Sequence, residues 1–106
     1  MLNNGYHTYY TYILTNRHKS VLYTGVTNNL ARRLQQHKEG AEKNNKSFTA
    51  KYKCTFLIHY EKYTWIQQAI AREKEIKGWT RKKKEELIKR NNPEWEFLNH
   101  HFSILP

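Results

Sequence analysis

The stretch Tyr9-Tyr10-Thr11-Tyr12-Ile13-Leu14, then Asn16-Arg17-His18-Lys19, then Val21-Leu22-Tyr23-Thr24-Gly25-Val26 decides the fold. Its outer parts are dense in aromatic and β-branched residues, which suit a pleated, half-buried surface, and its middle is polar and turn-like. A connection that short joins two strands only as an antiparallel hairpin. Alternation places Tyr10, Tyr12 and Leu14 on one face of the first strand, and Val21, Tyr23 and Gly25 on one face of the second. Gly25 near a strand end signals a bulge or a close backbone approach.

Downstream, Thr27-Asn28-Asn29 offers N-caps for a helix running to about Glu39, with Gly40 as its stop. Residues 41–51 are polar and lysine-rich and read as a loop. Tyr52, Cys54, Phe56, Ile58 and Tyr60 then alternate with Lys53, Thr55, Leu57, His59 and Glu61, the pattern of a third strand with one apolar face. A second helix spans roughly Thr64 to Lys77 and ends at Gly78. Thr80 caps a third that runs to about Arg90, before Pro93. Trp95, Phe97 and Leu98 are expected to fold back onto the body. The order β-β-α-β-α-α predicts an α+β domain, a small three-stranded antiparallel sheet flanked by helices. One domain fills residues 1–106, with a core from about 9 to 98 and flexible tails at 1–7 and 99–106.

Composition narrows the function. Nineteen Lys and Arg against nine acidic residues leave a net charge of +10 on 106 residues, which favours a polyanionic partner. There is no aspartate, so nucleases built on an aspartate cluster with two metals are excluded. Cys54 is the single cysteine, so neither an internal disulfide nor a multi-cysteine zinc site is possible within the chain. No apolar run is long enough to span a membrane and the start lacks a signal-peptide pattern, so the expected setting is cytoplasmic, without membrane association.

Two helices carry polar residues where their period demands apolar ones. Leu30 and Leu34 define the stripe of the first, and Arg33 and His37 share that face. Arg33 either snorkels to water or has a partner. His37 is either a satisfied structural histidine or part of a site. In the second helix Ile66, Ala69, Ile70 and Ile76 form the stripe and Glu73 interrupts it. A glutamate there either neutralises a buried cation, with Arg33 the obvious candidate, or binds a metal.

Taken together, these elements resemble the GIY-YIG endonuclease superfamily in its short, single-domain bacterial form. The first triplet reads Tyr10-Thr11-Tyr12 and the second Tyr23-Thr24-Gly25, with ten residues between Tyr12 and Tyr23. Arg33 follows eight positions after Gly25 and His37 four further. Arg72-Glu73-Lys74-Glu75-Ile76-Lys77-Gly78-Trp79 looks like the family's glutamate helix, and Asn91-Asn92-Pro93-Glu94-Trp95 like the end of its short members. Tyr10 stands for the family's glycine, Thr11 and Thr24 for its isoleucines. Val26 occupies a position where some members place a lysine.

The resemblance implies metal-dependent hydrolysis of a phosphodiester in nucleic acid, DNA rather than RNA, as an endonuclease or nickase. Tyr12, Tyr23, Arg33, His37 and Glu73 would converge on one concave electropositive surface. Glu73 would be the sole protein ligand of one Mg²⁺ or Mn²⁺ ion. Arg33 would hold the phosphate, Tyr12 or Tyr23 would serve the attacking water, and His37 would substitute for the missing lysine. Gly25, Asn92 and the basic run Lys82-Lys83-Lys84 would contact nucleic acid. The chain would act as a monomer or weak dimer, with a partner protein supplying specificity. The competing readings are a non-catalytic nucleic-acid-binding module with Arg33 and Glu73 locked as an ion pair, and a small protein-interaction domain.

Overall fold

A single asparagine closes the turn between the first two strands. The Asn16 Oδ1 accepts hydrogen bonds from the Ser20 and Val21 backbone N–H groups at 2.8 and 3.2 Å, and Lys19 takes the left-handed backbone at φ 59°. Such self-bonding is why Asn suits tight turns. The computed structural model describes residues 8–43 and 45–106; the expected 1–7 tail lies outside them. The hairpin consists of β1 (Tyr9–Thr15) and β2 (Leu22–Thr27), paired antiparallel with Tyr12 opposite Gly25 and Leu14 opposite Tyr23. The following elements are α1 (Leu30–Glu42), α2 (Phe48–Lys51), β3 (Phe56–Tyr63), α3 (Ile66–Lys77), α4 (Arg81–Asn91) and a 3₁₀ turn at Asn99–Phe102. The three-stranded antiparallel sheet has the order β2-β1-β3, so the expected α+β architecture is the observed one.

Both faces of the sheet are covered, and each carries its own core. Tyr12 and Leu14 pack with Leu30, Leu34, Cys54 and Leu57 on the α1 side. Ile13 packs with Ile58, Ile76, Leu87 and Ile88 on the α3 and α4 side. This two-sided burial defeats the expected apolar face of β3. A register shift between Ile13 and Leu14 is a β-bulge that sets Ile58 and His59 on one side of the sheet, so buried residues run consecutively from Leu57 to His59. The strand also starts at Phe56, later than expected, because Lys53 turns the chain at φ 57°.

Three further expectations are corrected. Asn29 does cap α1, its side chain accepting from the Arg32 N–H, but the helix runs through Gly40 to Glu42. Gly40 is buried, and a Cβ there would lie 2.6 Å from Asn45 Nδ2. The glycine therefore serves close packing inside the helix. The expected loop at 41–51 contains α2, capped by Ser47, with Thr49 and Ala50 buried. The expected flexible tail from 99 is tied down at its start. Asn99 is buried, accepts from the Leu57 N–H at 2.8 Å and donates to the Thr55 carbonyl at 2.9 Å, while Phe102 and Ile104 pack against the core. Together with the Leu98 N–H donating to Leu57 O at 2.7 Å, these bonds cover backbone that an edge strand would leave open.

Candidate active site

Tyr12 lies at the centre of the cluster, and Gly25 is what lets it lie there. The two residues face each other across the hairpin, and a Cβ on Gly25 would sit 2.5 Å from the Tyr12 hydroxyl. The Tyr12 ring is 1% exposed and its hydroxyl is 3.0 Å from His37 Nε2; the other ring nitrogen, Nδ1, is 3.0 Å from Thr49 Oγ1. Burial, and then the neighbouring Tyr23, hold the Tyr12 hydroxyl protonated well above the usual phenol range; Glu73 adds to this and Arg33 opposes it. Burial, and then the Arg33 charge, push His37 down to about 4. At neutral pH the pair is thus an uncharged phenol against an uncharged imidazole, bonded on both sides.

Tyr23 is placed differently. Its ring is half-buried, 5.9 Å from that of His37 and 6.0 Å from that of Phe48, and it lines a cleft of about 290 Å³ with Arg33, His37 and Thr49. Arg33 reaches this cleft because α1 turns the face carrying Leu30 and Leu34 onto the sheet. Among the described residues, its guanidinium pairs with no carboxylate.

Glu73 approaches from the other side of the sheet, since α3 packs with Ile76 against Ile13. Its side chain is 14% exposed, and Oε2 is 2.6 Å from Lys77 Nζ, which in turn lies 5.9 Å from the centre of the Tyr23 ring. Arg33 lines the cleft and Glu73 does not; the Glu73 charge is met by Lys77 and reaches Tyr12 only as a minor influence on that phenol. Of the two readings of Glu73, the ion pair with Arg33 is not formed; its carboxylate pairs with Lys77. Ile66, expected in the stripe, is 42% exposed, whereas Ala69 and Ile76 are fully buried.

These positions fit a known pattern. Residues 8–86 match the model of the GIY-YIG catalytic domain. The chain belongs to the GIY-YIG family. Its similarity extends to a UPF0213 protein of Haloquadratum walsbyi, 37% identical over 84 residues that cover 79% of this chain and 88% of the relative. A UPF0213 protein of Bacillus pumilus is 33% identical over 95 residues, covering 90% and 93%. The solution NMR structure of a UPF0213 protein from Bacillus halodurans superposes with a TM-score of 0.54 at 26% identity, covering 93% of this chain and 99% of that one. The family's activity is that of endonucleases, so the GIY-YIG match supports a nuclease in general and an association with nucleic acid.

Against the GIY-YIG pattern, several expected contacts move. Gly25 is buried beneath the Tyr12 ring, so its role is to seat that ring and not to touch nucleic acid. Asn92 is buried too. Its amide donates to the Ile58 and Glu96 carbonyls at 3.0 and 2.9 Å, and its oxygen accepts from the Glu96 N–H, so both of its donors are committed inside the fold. Lys82, Lys83 and Lys84 lie on α4, whose Leu87 and Ile88 pack on the sheet face opposite α1. Lys83 Nζ sits 4.5 Å over the Trp79 ring. Thr49, Phe48 and Lys77 escaped the sequence reading. Only Lys77 carried a signal, its i,i+4 spacing from Glu73.

Among the described residues no three His, Cys or Glu side chains gather as a metal site. The donor set offered is the Glu73 carboxylate. A single carboxylate completed by water and phosphate oxygens suits Mg²⁺, which keeps several waters. The residues therefore fit one such ion, provided Lys77 yields its place. No helix among the described residues is long and apolar enough to cross a membrane.

Proposed function

We propose that the chain is a metal-dependent endonuclease or nickase acting on DNA in preference to RNA. The observation that carries this is Arg33, whose guanidinium pairs with no carboxylate among the described residues and lies in a cleft walled by Tyr23 and His37. A structural arginine half-buried beside tyrosines would be neutralised by a carboxylate, because an uncompensated charge is costly; this one is placed for a phosphate. Its delocalised fork suits a phosphate bidentately and opposes the charge that develops during attack.

Tyr23 is the tyrosine at the cleft, so it orients the attacking water and is the group placed to receive its proton. Tyr12 is enclosed and keeps its own proton. It fixes His37, and Thr49 fixes the opposite nitrogen, so the imidazole, kept neutral by burial and by the Arg33 charge, is a rigid wall. Glu73 would hold a divalent ion, whose chemistry is Lewis-acid stabilisation of the departing oxygen. With one site per chain the product is a nick, and the cutting preference comes from nucleic-acid shape or from a partner protein, since phosphate contacts position without specifying sequence. Supercoiled plasmid incubated with and without Mg²⁺ or Mn²⁺ tests the reading. Metal-dependent relaxed circles are expected, and their absence at every metal concentration would reject it.

A further inference from the structure

The cleft continues into an exposed aromatic row that the hydrolytic chemistry does not use. Beyond Tyr23 lies Phe48, its ring 6.0 Å away and inclined by 29°, and beyond that Tyr52, 4.7 Å from Phe48. Phe48 is 48% and Tyr52 40% exposed. The two rings pack on one another and on Tyr23 but leave the outer side of α2 open to solvent, since Thr49 and Ala50 are the residues α2 buries. Tyr52 also lines a second cavity of about 470 Å³ together with Arg17, His18, Lys38 and Lys53, and with Glu42 as its acidic residue. The row therefore runs from one cation-lined hollow to another.

Charge selects the occupant. The segment from Lys43 to Lys53 contains four lysines and no acidic residue, and Lys51 Nζ lies 5.4 Å from the centre of the Tyr52 ring. A protein partner would need an acidic aromatic surface to match this. A nucleic-acid strand supplies both requirements in every nucleotide, a π-face for the ring and a phosphate for the cation. Only unpaired bases expose those faces, because a duplex stacks its bases on one another.

We infer that Phe48 and Tyr52 form a base-stacking shelf that carries an unpaired stretch of the substrate strand from the Tyr23–Arg33 cleft to the cavity at Arg17 and Lys38. The shelf deepens the nuclease reading and rests on it for the placement of the scissile phosphate. Base–aromatic contacts are lost when a ring becomes aliphatic, whereas the electrostatic share of binding is untouched because no cation is removed.

The experiment measures fluorescence anisotropy of a labelled thymidine 12-mer, and of a blunt duplex of equal length, in EDTA, which suppresses metal-dependent cutting. Phe48→Leu and Tyr52→Leu are each expected to weaken single-strand binding by about 5- to 100-fold. The slope against salt and the duplex affinity should stay unchanged. Phe48→Tyr and Tyr52→Phe should bind as the parent does. Thermal unfolding checks that the leucine variants fold, and the four single variants stand independently. Parent-like binding by both leucine variants would overturn the shelf, as would an equal loss on the duplex. A change in sedimentation without a change in binding would overturn it in favour of a contact between copies. A parent that nicks no plasmid, yet loses single-strand binding in the leucine variants, would retain the shelf and remove the nuclease. Parent-like binding in variants that still nick would do the reverse.

Discussion

Glu73→Gln separates chemistry from packing, because the substitution keeps shape and volume while removing the charge a cation needs. Had Glu73 neutralised a buried Arg33, the variant would leave an uncompensated charge at a cost of about 3–5 kcal/mol. The structure gives it a different partner. Lys77 Nζ is 2.6 Å away, one helical turn later, on a side chain that is 50% exposed and free to turn to water. An i,i+4 pair of this kind contributes about 0.3–0.5 kcal/mol. At roughly 4–8 °C per kcal/mol for a domain of this size, the expected fall in Tm is about 1–4 °C. The buried-pair alternative predicts a fall above about 12 °C by the same conversion. Thermal unfolding, nucleic-acid binding and plasmid nicking are measured on one preparation. We expect a nearly parental Tm, retained binding and loss of metal-dependent nicking. A variant that nicks at the parental rate, or one that melts more than about 12 °C early, would refute the assignment of Glu73 to a metal.

Four further outcomes are expected. Gly25→Ala places a Cβ 2.5 Å from the Tyr12 hydroxyl, an overpacking that costs about 1–3 kcal/mol in denaturant unfolding; an unchanged midpoint would show that the Tyr12 ring can retreat. Stability should decline as pH falls from 6.5 towards 4, because the unfolded chain protonates His37 while the folded one, at about 4, does not. A second decline should follow from 4.5 towards 2, where burial of Glu61 is outweighed by its bonds from His59, Arg72 and Tyr63, which hold the carboxylate at about 2. Denaturant unfolding of His37→Gln should lack the first decline and that of Glu61→Gln the second; persistence of either would reassign it. Asn99→Ala strands the Leu57 N–H and the Thr55 carbonyl at about 1–3 kcal/mol each, and hydrogen exchange at the Leu57 amide should accelerate; parental protection there would contradict the anchoring of the C-terminal segment.

The elements were legible in the sequence wherever one local signal decided them. Asn29 and Thr80 are N-caps whose side chains accept backbone N–H groups in the structure, and the hairpin follows from two short β-rich runs around Asn16. Arg33, His37 and Glu73 stood out because helical period is a local property, and a polar residue on an apolar stripe can be seen without knowing what it meets. What they meet is not local. Glu73 pairs with Lys77 instead of Arg33, because α1 and α3 lie on opposite faces of the sheet and Lys77 stands one helical turn from Glu73. The same holds for Gly25 and Asn92, whose residue types suit ligand contact as well as burial. Their roles depend on a facing ring in one case and on two carbonyls in the other. The alternation that marked β3 misjudged its faces, since the strand is covered on both sides and bulged at Ile58, so that Leu57 and His59 are buried along with Ile58. Composition and period thus determined the elements, the family resemblance and the anomalous residues. The tertiary structure alone decided the partners of those residues and the division between Tyr12, enclosed, and Tyr23, at the cleft, because burial and pairing are set by contacts between segments far apart in the chain.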